Sequence, residues 1–371
     1  MGIVLLACTV ISLLLANSSI GMTYLHLIEQ ETPSGQSLGL HLPHTLLHWI
    51  NDGLMSIFFF MAGMEIKREL LVGELSSVRK ASLPVAGAIG GMLVPAIIYL
   101  AINRNTPWEA GWGVPMATDI AFSLGVASLL SRRVPVSLKI FLMALAIIDD
   151  LGAILVIALF YGGTVHTLYL LLALALFALI YLAHKFLWHT LRPAMTIIGG
   201  ILLWYCILQS GVHATIAGVL LAFTIPEDKL GNYVHALHDV VSFIILPLFA
   251  LTNTAIVLPE NLAETLFSPL AWGVAGGLVL GKPLGITLFA WMAVKLGWGQ
   301  KPKDATWTQL AGIGALAGIG FTMSIFITML AFDDTGLQNI AKLAILAAAV
   351  LSIVLGLLIL GRAARNGSKG A

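Results

Sequence analysis

Long apolar runs dominate the chain, and short polar stretches separate them. A window of about 19 residues, the length suited to helices that cross a bilayer, finds twelve such runs. They are residues 3–20, 46–70, 82–102, 110–130, 136–160, 167–185, 194–210, 213–225, 239–258, 269–295, 309–331 and 338–361. Most are long enough to cross about 30 Å of hydrocarbon, whereas 213–225 is short. The pattern predicts an all-α membrane protein of about twelve transmembrane helices, forming one polytopic unit over residues 1–371.

The composition supports helices in lipid and excludes several classes of protein. Of the 371 residues, 59% are hydrophobic and 10% are charged, whereas soluble domains carry about 25% charged residues. A transmembrane β-barrel would need short alternating segments, which these long runs do not provide. The net charge of +1 gives no indication of nucleic-acid binding, and the two cysteines indicate neither a disulfide framework nor a metal cluster. We expect no cofactor and no enzymatic activity.

The basic residues predict the orientation of the chain. Sixteen of the 19 Lys and Arg residues fall in connections on one side of a twelve-span arrangement. The positive-inside rule then places both termini in the cytoplasm. The longest connection on the opposite side is the outer loop 21–45, in which residues 34–42 alternate polar and apolar side chains. This alternation is typical of a small β-hairpin, although an unstructured loop is an equally good interpretation.

Two segments repeat each other. Residues 87–94 and 273–280 both read GxxGG followed by three apolar residues. If the third span corresponds to the tenth, the fourth corresponds to the eleventh and the fifth to the twelfth. An odd number of spans separates the copies, so the second copy runs through the bilayer in the opposite sense. We therefore predict that residues 82–160 and 269–361 are inverted repeats that form the ion-translocating core.

Glycine and proline interrupt the fourth and eleventh spans at corresponding places. The fourth is interrupted at residues 111–115, before Thr118 and Asp119, and the eleventh at residues 312–320. Paired interrupted spans in inverted halves point to an ion site near the middle of the membrane. The alternative is that these glycines only ease helix packing, because glycine is common in membrane helices.

Four ionisable residues stand near the centres of spans: Asp119, Asp149, Asp150 and Lys282. Each unpaired charge at a helix centre costs about 2.5–3.5 kcal/mol on insertion scales, so such residues indicate function. The alternative is a set of inert buried ion pairs. Na+ prefers oxygen ligands, and the three carboxylates with the Thr118 hydroxyl provide them. The same carboxylates also bind protons, so competition for one site is enough to couple the two ions.

The two adjacent aspartates point about 100° apart on a helix. One can therefore face the ion cavity while the other pairs within the bundle, and Lys282 is the natural partner. Where two interrupted spans cross, half-helix ends of like partial charge meet. We predict that Asp119 neutralises positive ends there and that Lys282 neutralises negative ones.

At these positions the chain resembles the NhaA family of bacterial Na+/H+ antiporters, in seven segments that cover nearly the whole chain in order. The segments are residues 49–54 (WINDGL), 63–70 (GMEIKREL), 117–125 (ATDIAFSLG), 145–154 (LAIIDDLGAI), 210–215 (SGVHAT), 281–286 (GKPLGI) and 318–327 (GIGFTMSIFI).

The resemblance implies a role for each candidate residue. Asp149 and Asp150 are implied to bind Na+ and protons, Asp119 and Thr118 to support the site, and Lys282 to pair with the first aspartate. A pH-response region is implied for four further residues: Glu65, Arg68, Glu69 and His213. Each of these has an ordinary alternative, such as a helix-surface pair for Glu65 with Arg68 and a packing role for His213.

The resemblance also implies the physiology. The expected function is electrogenic export of Na+, and of Li+, in exchange for H+ at alkaline pH, serving sodium and pH homeostasis. The expected location is the bacterial inner membrane, with lipid as a partner and a homodimer formed through loop 21–45. Val234 and residues 253–255 depart from the family pattern, and connection 226–238 is shorter than usual, which affects the expected pH profile. A passive channel, an intramembrane protease and a light-driven pump fit the site less well.

Overall fold

The computed structural model describes residues 1–31, 42–130, 134–186, 192–302 and 304–367, and this part of the chain is almost entirely helical. Seven of its helices are long and apolar enough to cross a membrane, or up to nine if each of two bent pairs forms one span. The fold class predicted from the sequence is therefore confirmed as an all-α membrane protein. The count of twelve spans stays a prediction.

We number the helices in chain order. They are α1 (Gly2–Ala16), α2 (Gly21–Glu29), α3 (Leu46–Leu71), α4 (Val78–Asn103), α5 (Ile120–Leu129), α6 (Val136–Phe160), α7 (Thr167–Phe186), α8 (Arg192–Gln209), α9 (Ile216–Thr224), α10 (Glu227–Asn253), α11 (Leu262–Leu266), α12 (Pro269–Lys295), α13 (Trp307–Ala317), α14 (Phe321–Ala331) and α15 (Thr335–Gly367). A 3₁₀ helix, Glu109–Met116, precedes α5.

Two segments that the sequence predicts as connections between spans contain helices in the structure. Loop 21–45 begins with α2, which follows α1 at an angle of 113°, and the predicted hairpin 34–42 lies outside the described residues except for Leu42. Beyond α2, Glu31 and Thr45 form a single antiparallel bridge. Connection 226–238 is the first half of α10, which continues without a break into the predicted ninth span. Its apolar residues include the buried Leu230, which gives the segment a packed face that a loop does not need.

Three long helices contain a π-helical turn: Trp49–Leu54 in α3, Val241–Ile245 in α10 and Gly277–Gly281 in α12. In the last two, a proline follows the turn two residues later, Pro247 and Pro283. A proline lacks the N–H that would bond the carbonyl four residues earlier, and its ring crowds that carbonyl. The wider π turn accommodates both effects and lets each helix continue.

The described chain groups into two compact units. The first comprises residues 1–2, 72–153 and 258–371, and the second comprises residues 3–71 and 154–257. We had predicted one unit over residues 1–371. The predicted repeats 82–160 and 269–361 fall mainly in the first unit, but their relation as repeats stays a prediction.

Small residues and one lysine hold α9 against α3 in the second unit. A Cβ at Gly63 would lie 2.8 Å from the Ala222 side chain, and one at Gly218 would lie 2.8 Å from Phe60 N. At the end of α9, Lys67 Nζ donates to the carbonyls of Phe223 and Ile225 at 2.8 and 2.5 Å. Lys67 therefore caps the C-terminus of α9.

Close backbone packing also joins α4 to α12 in the first unit. A Cβ at Gly281 would lie 2.9 Å from Pro95 Cα, and one at Gly91 would lie 2.8 Å from Ile286. Only glycine permits this approach. The repeated glycine motifs thus lie on helices that pack together, and the contact sets the height of Lys282 beside α4.

Two interruptions lie beside each other in the first unit. Residues 117–119 separate the 3₁₀ helix from α5 and include extended backbone at both Ala117 and Asp119. Residues 318–320 separate α13 from α14, which are bent by 48°. The Asp119 N–H donates to the Ile319 carbonyl at 2.7 Å, so the two interrupted segments bond directly to each other.

The packing of α9 on α3 gives a matched test of two helical glycines. We expect Gly218→Ala to lower stability by about 1–3 kcal/mol, because its Cβ would collide with the Ser56 carbonyl and Phe60 N. Gly231→Ala in α10 is the control, since its Cβ meets open space, and it should gain up to about 1 kcal/mol. Thermal unfolding in detergent measures both, and equal shifts of the two variants would contradict this packing.

Candidate functional site

A buried group of three polar side chains lies in the first unit, beside the two interruptions. Lys282 Nζ is 2.5 Å from Asp149 Oδ2 and donates a second hydrogen bond to Thr118 Oγ1 at 2.9 Å. Lys282, Asp149 and Thr118 are each 0% exposed. These three residues come from α12, α6 and the segment before α5, so the site depends on contacts between distant parts of the chain.

The Thr118 hydroxyl links this ion pair to the end of α13. Its oxygen lies 2.7 Å from Asp149 Oδ2 and 2.9 Å from the carbonyl of Ala317, the last residue of α13. A hydroxyl has one hydrogen, so Thr118 donates to one of these acceptors at a time. The ammonium of Lys282 reaches the negative end of α13 only through Thr118, not by direct contact.

Asp119 lies beside Thr118 in sequence but contacts different groups. Its Oδ1 accepts from Phe122 N at 3.1 Å, which caps the start of α5. Its Oδ2 accepts from the N–H and the hydroxyl of Thr322 at 3.2 and 2.5 Å, in the first turn of α14. One buried carboxylate therefore meets two helix N-termini, where a negative charge stabilises the helix dipoles.

Thr322 is a contact that sequence reasoning missed. It lies in the resembling segment 318–327, but no role was assigned to it. Thr322 follows the second interruption, much as Asp119 ends the first. This correspondence between the two interruptions could have identified it from the sequence. Ser123 was also missed, and its hydroxyl lies within bonding distance of the carbonyls of Asp119 and Leu316.

Asp149 retains an oxygen that can accept another ligand. Among the described residues, Asp149 Oδ1 is buried and has no hydrogen-bond partner. Leaving such an oxygen without a partner is costly in an apolar interior. The next residue, Asp150, is 5% exposed, and its carboxylate interacts electrostatically with Lys282. The site thus combines two adjacent carboxylates, a hydroxyl and an amine.

Gly91 and a π turn lie beside the Lys282 side chain. A Cβ at Gly91 would lie 3.7 Å from Lys282 Cδ, in ordinary contact with the lysine stem. The π turn Gly277–Gly281 ends at the residue before Lys282. Such turns often occur at functional sites because they redirect a side chain.

The four predicted pH-response residues lie in the second unit. Glu65, Arg68 and Glu69 occupy the last two turns of α3, with Glu65 and Glu69 partly buried and Arg68 exposed. His213 lies before α9, and its Nε2 is 2.5 Å from the Tyr161 carbonyl. A carbonyl can only accept, so Nε2 carries the hydrogen. This bond gives His213 a structural contact, and the pH-response role stays a prediction for all four residues.

The described part of the chain contains no group of three or more His, Cys, Asp or Glu side chains placed to hold a metal ion. A cation at this site would therefore use the oxygens of two aspartates supplemented by hydroxyl, carbonyl or water oxygens. Such a mixed oxygen set suits hard cations and does not suit soft metals, which prefer thiolate or thioether ligands. The site fits Na+ as a transported substrate.

Comparisons with known proteins agree with this chemistry. The profile of the family described as Na+/H+ antiporter 1 matches residues 1–360. The chain is 49% identical over 361 residues to the Na+/H+ antiporter NhaA of Flavobacterium psychrophilum, covering 96% of this chain and 91% of that protein. It is 48% identical over 365 residues to the Na+/H+ antiporter NhaA of Citrobacter koseri, covering 96% and 93%.

A solved structure has a related fold. The sodium proton antiporter of Methanocaldococcus jannaschii superposes with a TM-score of 0.53, covering 97% of this chain and 96% of that one. The two sequences are 15% identical, so this likeness concerns the fold alone.

The buried ion pair generates a stability prediction. We expect Lys282→Ala to lower stability by about 3–5 kcal/mol, because it leaves the Asp149 carboxylate buried without its cation. Lys295→Ala is the control, because Lys295 is the exposed last residue of the same helix. Thermal unfolding in detergent compares them, and Asp149→Asn added to Lys282→Ala should restore part of the loss. Equal melting temperatures for Lys282→Ala and the unchanged protein would contradict the pairing.

Proposed function

Because this chain belongs to the Na+/H+ antiporter 1 family, we propose that it exchanges Na+ for H+ across a membrane. The chain matches more than nine-tenths of the length of the antiporters cited above, whose names describe Na+/H+ exchange. The observation that carries the proposal is the buried group of Asp149, Thr118 and Lys282.

Competition for carboxylate oxygens couples the two ions in this proposal. Na+ binds the carboxylates of Asp149 and Asp150, and the Thr118 hydroxyl supplies a further oxygen. Protonation of the same carboxylates removes the negative charge that holds the cation. Bound protons and bound Na+ therefore exclude each other. The site is exposed to the two sides of the membrane in turn, and it carries either protons or Na+ when it changes sides.

Lys282 serves as an internal substitute for the cation. Without Na+, its ammonium neutralises Asp149. When Na+ arrives, it takes over the carboxylate, and Lys282 loses its partner and releases a proton. The ammonium and Na+ thus alternate as the counter-ion of Asp149, so this buried carboxylate always has a positive partner, which matters because an uncompensated charge in this interior is costly.

The interrupted segments give the site a stable polar setting within the membrane. Asp119 satisfies the N-termini of α5 and α14, while Thr118 satisfies the end of α13. We propose that the two interruptions belong to spans four and eleven of inverted repeats 82–160 and 269–361. In transporters of that design, ions bind where the interrupted helices meet.

We further propose the physiological setting that the family resemblance implies. The protein lies in the bacterial inner membrane with both termini in the cytoplasm, and it forms a homodimer through loop 21–45 in contact with lipid. It exports Na+ and Li+ at alkaline pH and so serves sodium and pH homeostasis. The residues proposed to sense pH are Glu65, Arg68, Glu69 and His213.

The central test replaces one carboxylate in reconstituted protein. We expect Asp150→Asn to abolish exchange, because asparagine keeps the volume but cannot take up and release a proton. Lumenal pH in proteoliposomes is followed as Na+, Li+ or K+ is added. Asp228→Asn is the matched control, since the Asp228 side chain is 63% exposed, and it should leave exchange unchanged. Near-normal exchange by folded Asp150→Asn would remove Asp150 from the shared site.

The charge count at the site predicts a response to voltage. Asp149, Asp150 and Lys282 can together exchange more than one proton for one Na+, so each cycle moves net positive charge inward with the protons. One net charge across 100 mV corresponds to about 2.3 kcal/mol. An inside-negative potential should therefore speed Na+ efflux from proteoliposomes at fixed ion gradients. A rate of Na+ efflux that does not depend on voltage would show that exchange is electroneutral. It would refute the multi-proton interpretation but leave the Na+/H+ exchange itself in place.

A further inference from the structure

A pocket with a volume of about 370 Å³ opens in the first unit where α4 and α6 begin. The connection between α12 and α13 forms its third wall, through Gln300 and Pro302. Its inner surface is apolar and includes Leu83 and Phe141, whereas Arg79 and Lys80 line its mouth. The pocket is therefore amphipathic, with basic groups outside and hydrocarbon inside.

The basic groups at the mouth have no acidic partner in the described part of the chain. The ion pairs found there within 4.0 Å are Lys229 with Asp228 and Lys282 with Asp149. Glu74 also lines the pocket, so the charged side chains among its described lining residues sum to one net positive charge. Arg79 and Lys80 lie in the first turn of α4, which contains no acidic residue, and the positive end of the helix dipole adds to their field.

The pocket lies at the depth of the lipid headgroups. Helix α4 has 26 residues and is therefore about 39 Å long, which exceeds the roughly 30 Å thickness of the hydrocarbon core. We therefore expect its first turn, with Arg79 and Lys80, in the polar layer of the membrane, whereas Leu83 and Phe141 are buried on the inner side of the pocket. A soluble ligand would not need this apolar inner wall.

We propose that this pocket binds the headgroup of an anionic phospholipid of the phosphatidylglycerol class. The phosphate lies against Arg79 and Lys80, and the headgroup hydroxyls bond to the polar rim at Ser137 and Gln300. The first methylene groups of the lipid contact Phe141. The volume is too small for a whole phospholipid, so the acyl tails run along the outside of the helices.

Bound lipid would connect the starts of two helices that matter to the ion site. Helix α6 carries Asp149, and α4 packs closely against α12, which carries Lys282. Lipid composition would then affect the stability of the first unit. The proposal does not depend on ion exchange, because its test measures lipid binding and not transport.

The test titrates purified full-length protein in neutral detergent with short-chain phosphatidylglycerol, phosphatidylcholine of the same chain length, and inorganic phosphate. Native mass spectrometry measures the fraction of protein that carries bound lipid. We expect Arg79→Gln/Lys80→Gln to weaken phosphatidylglycerol binding by roughly 30-fold, at about fivefold for each lost charge at a membrane surface. Lys229→Gln/Arg362→Gln removes the same charge outside the pocket and should leave binding unchanged.

Three outcomes would overturn the proposal. Equal binding of phosphatidylcholine would show that the phosphate charge is not recognised. An equal loss in the control variant would show general surface attraction in place of a site. Inorganic phosphate binding as tightly as phosphatidylglycerol would identify a site for free anions. Both double variants should melt at the temperature of the unchanged protein in lipid-free detergent, which separates a binding loss from unfolding.

Discussion

The ammonium of Lys282 and the carboxylate of Asp149 lie 2.5 Å apart, and both side chains are fully buried. Either charge alone would be strongly destabilising there. The helices α6 and α12 therefore have to pack so that Asp149 and Lys282 lie at the same level and point toward each other. Close glycine contacts between α4 and α12 set that height, and the π turn before Pro283 sets the rotation. Much of the architecture of the first unit serves to keep this pair together.

A second constraint comes from the backbone of the two interrupted segments. Each interruption exposes helix ends whose N–H and C=O groups have no partner within their own helix. Asp119 satisfies two N-termini, Thr118 reaches the C-terminus of α13, and the Asp119 N–H bonds to Ile319. Because the side chains that satisfy these ends also surround the ion pair, irregular backbone and ion site form one structure. A polar site could not persist in the membrane otherwise.

The second unit uses polar groups for a different purpose. Lys67 caps α9, and Asn51 and Asn253 exchange side-chain hydrogen bonds at 2.9 and 3.3 Å. These contacts bond backbone or amide groups and leave no carboxylate beside an amine. Their role is to hold helices in register. In the first unit, by contrast, a fully buried carboxylate, amine and hydroxyl meet, which is chemistry suited to binding and releasing a cation.

Hydropathy and charge along the sequence predict the helical membrane class and most of the long apolar segments, and they single out the candidate site residues, whose roles stay predictions. Hydropathy and intramembrane charge are properties of local composition, and a charge in an apolar segment stands out whatever the fold. The tertiary structure decided how these residues combine. The residue pattern left open which aspartate faces Lys282. The family resemblance pointed to Asp149, and the geometry shows that contact. The sequence pattern did not reveal that Thr322 donates to Asp119 or that Lys67 caps α9. It also did not reveal that residues 21–29 and 227–238 are helical. Those outcomes depend on helix rotation and on contacts between residues far apart in the chain, which packing sets and no local pattern records.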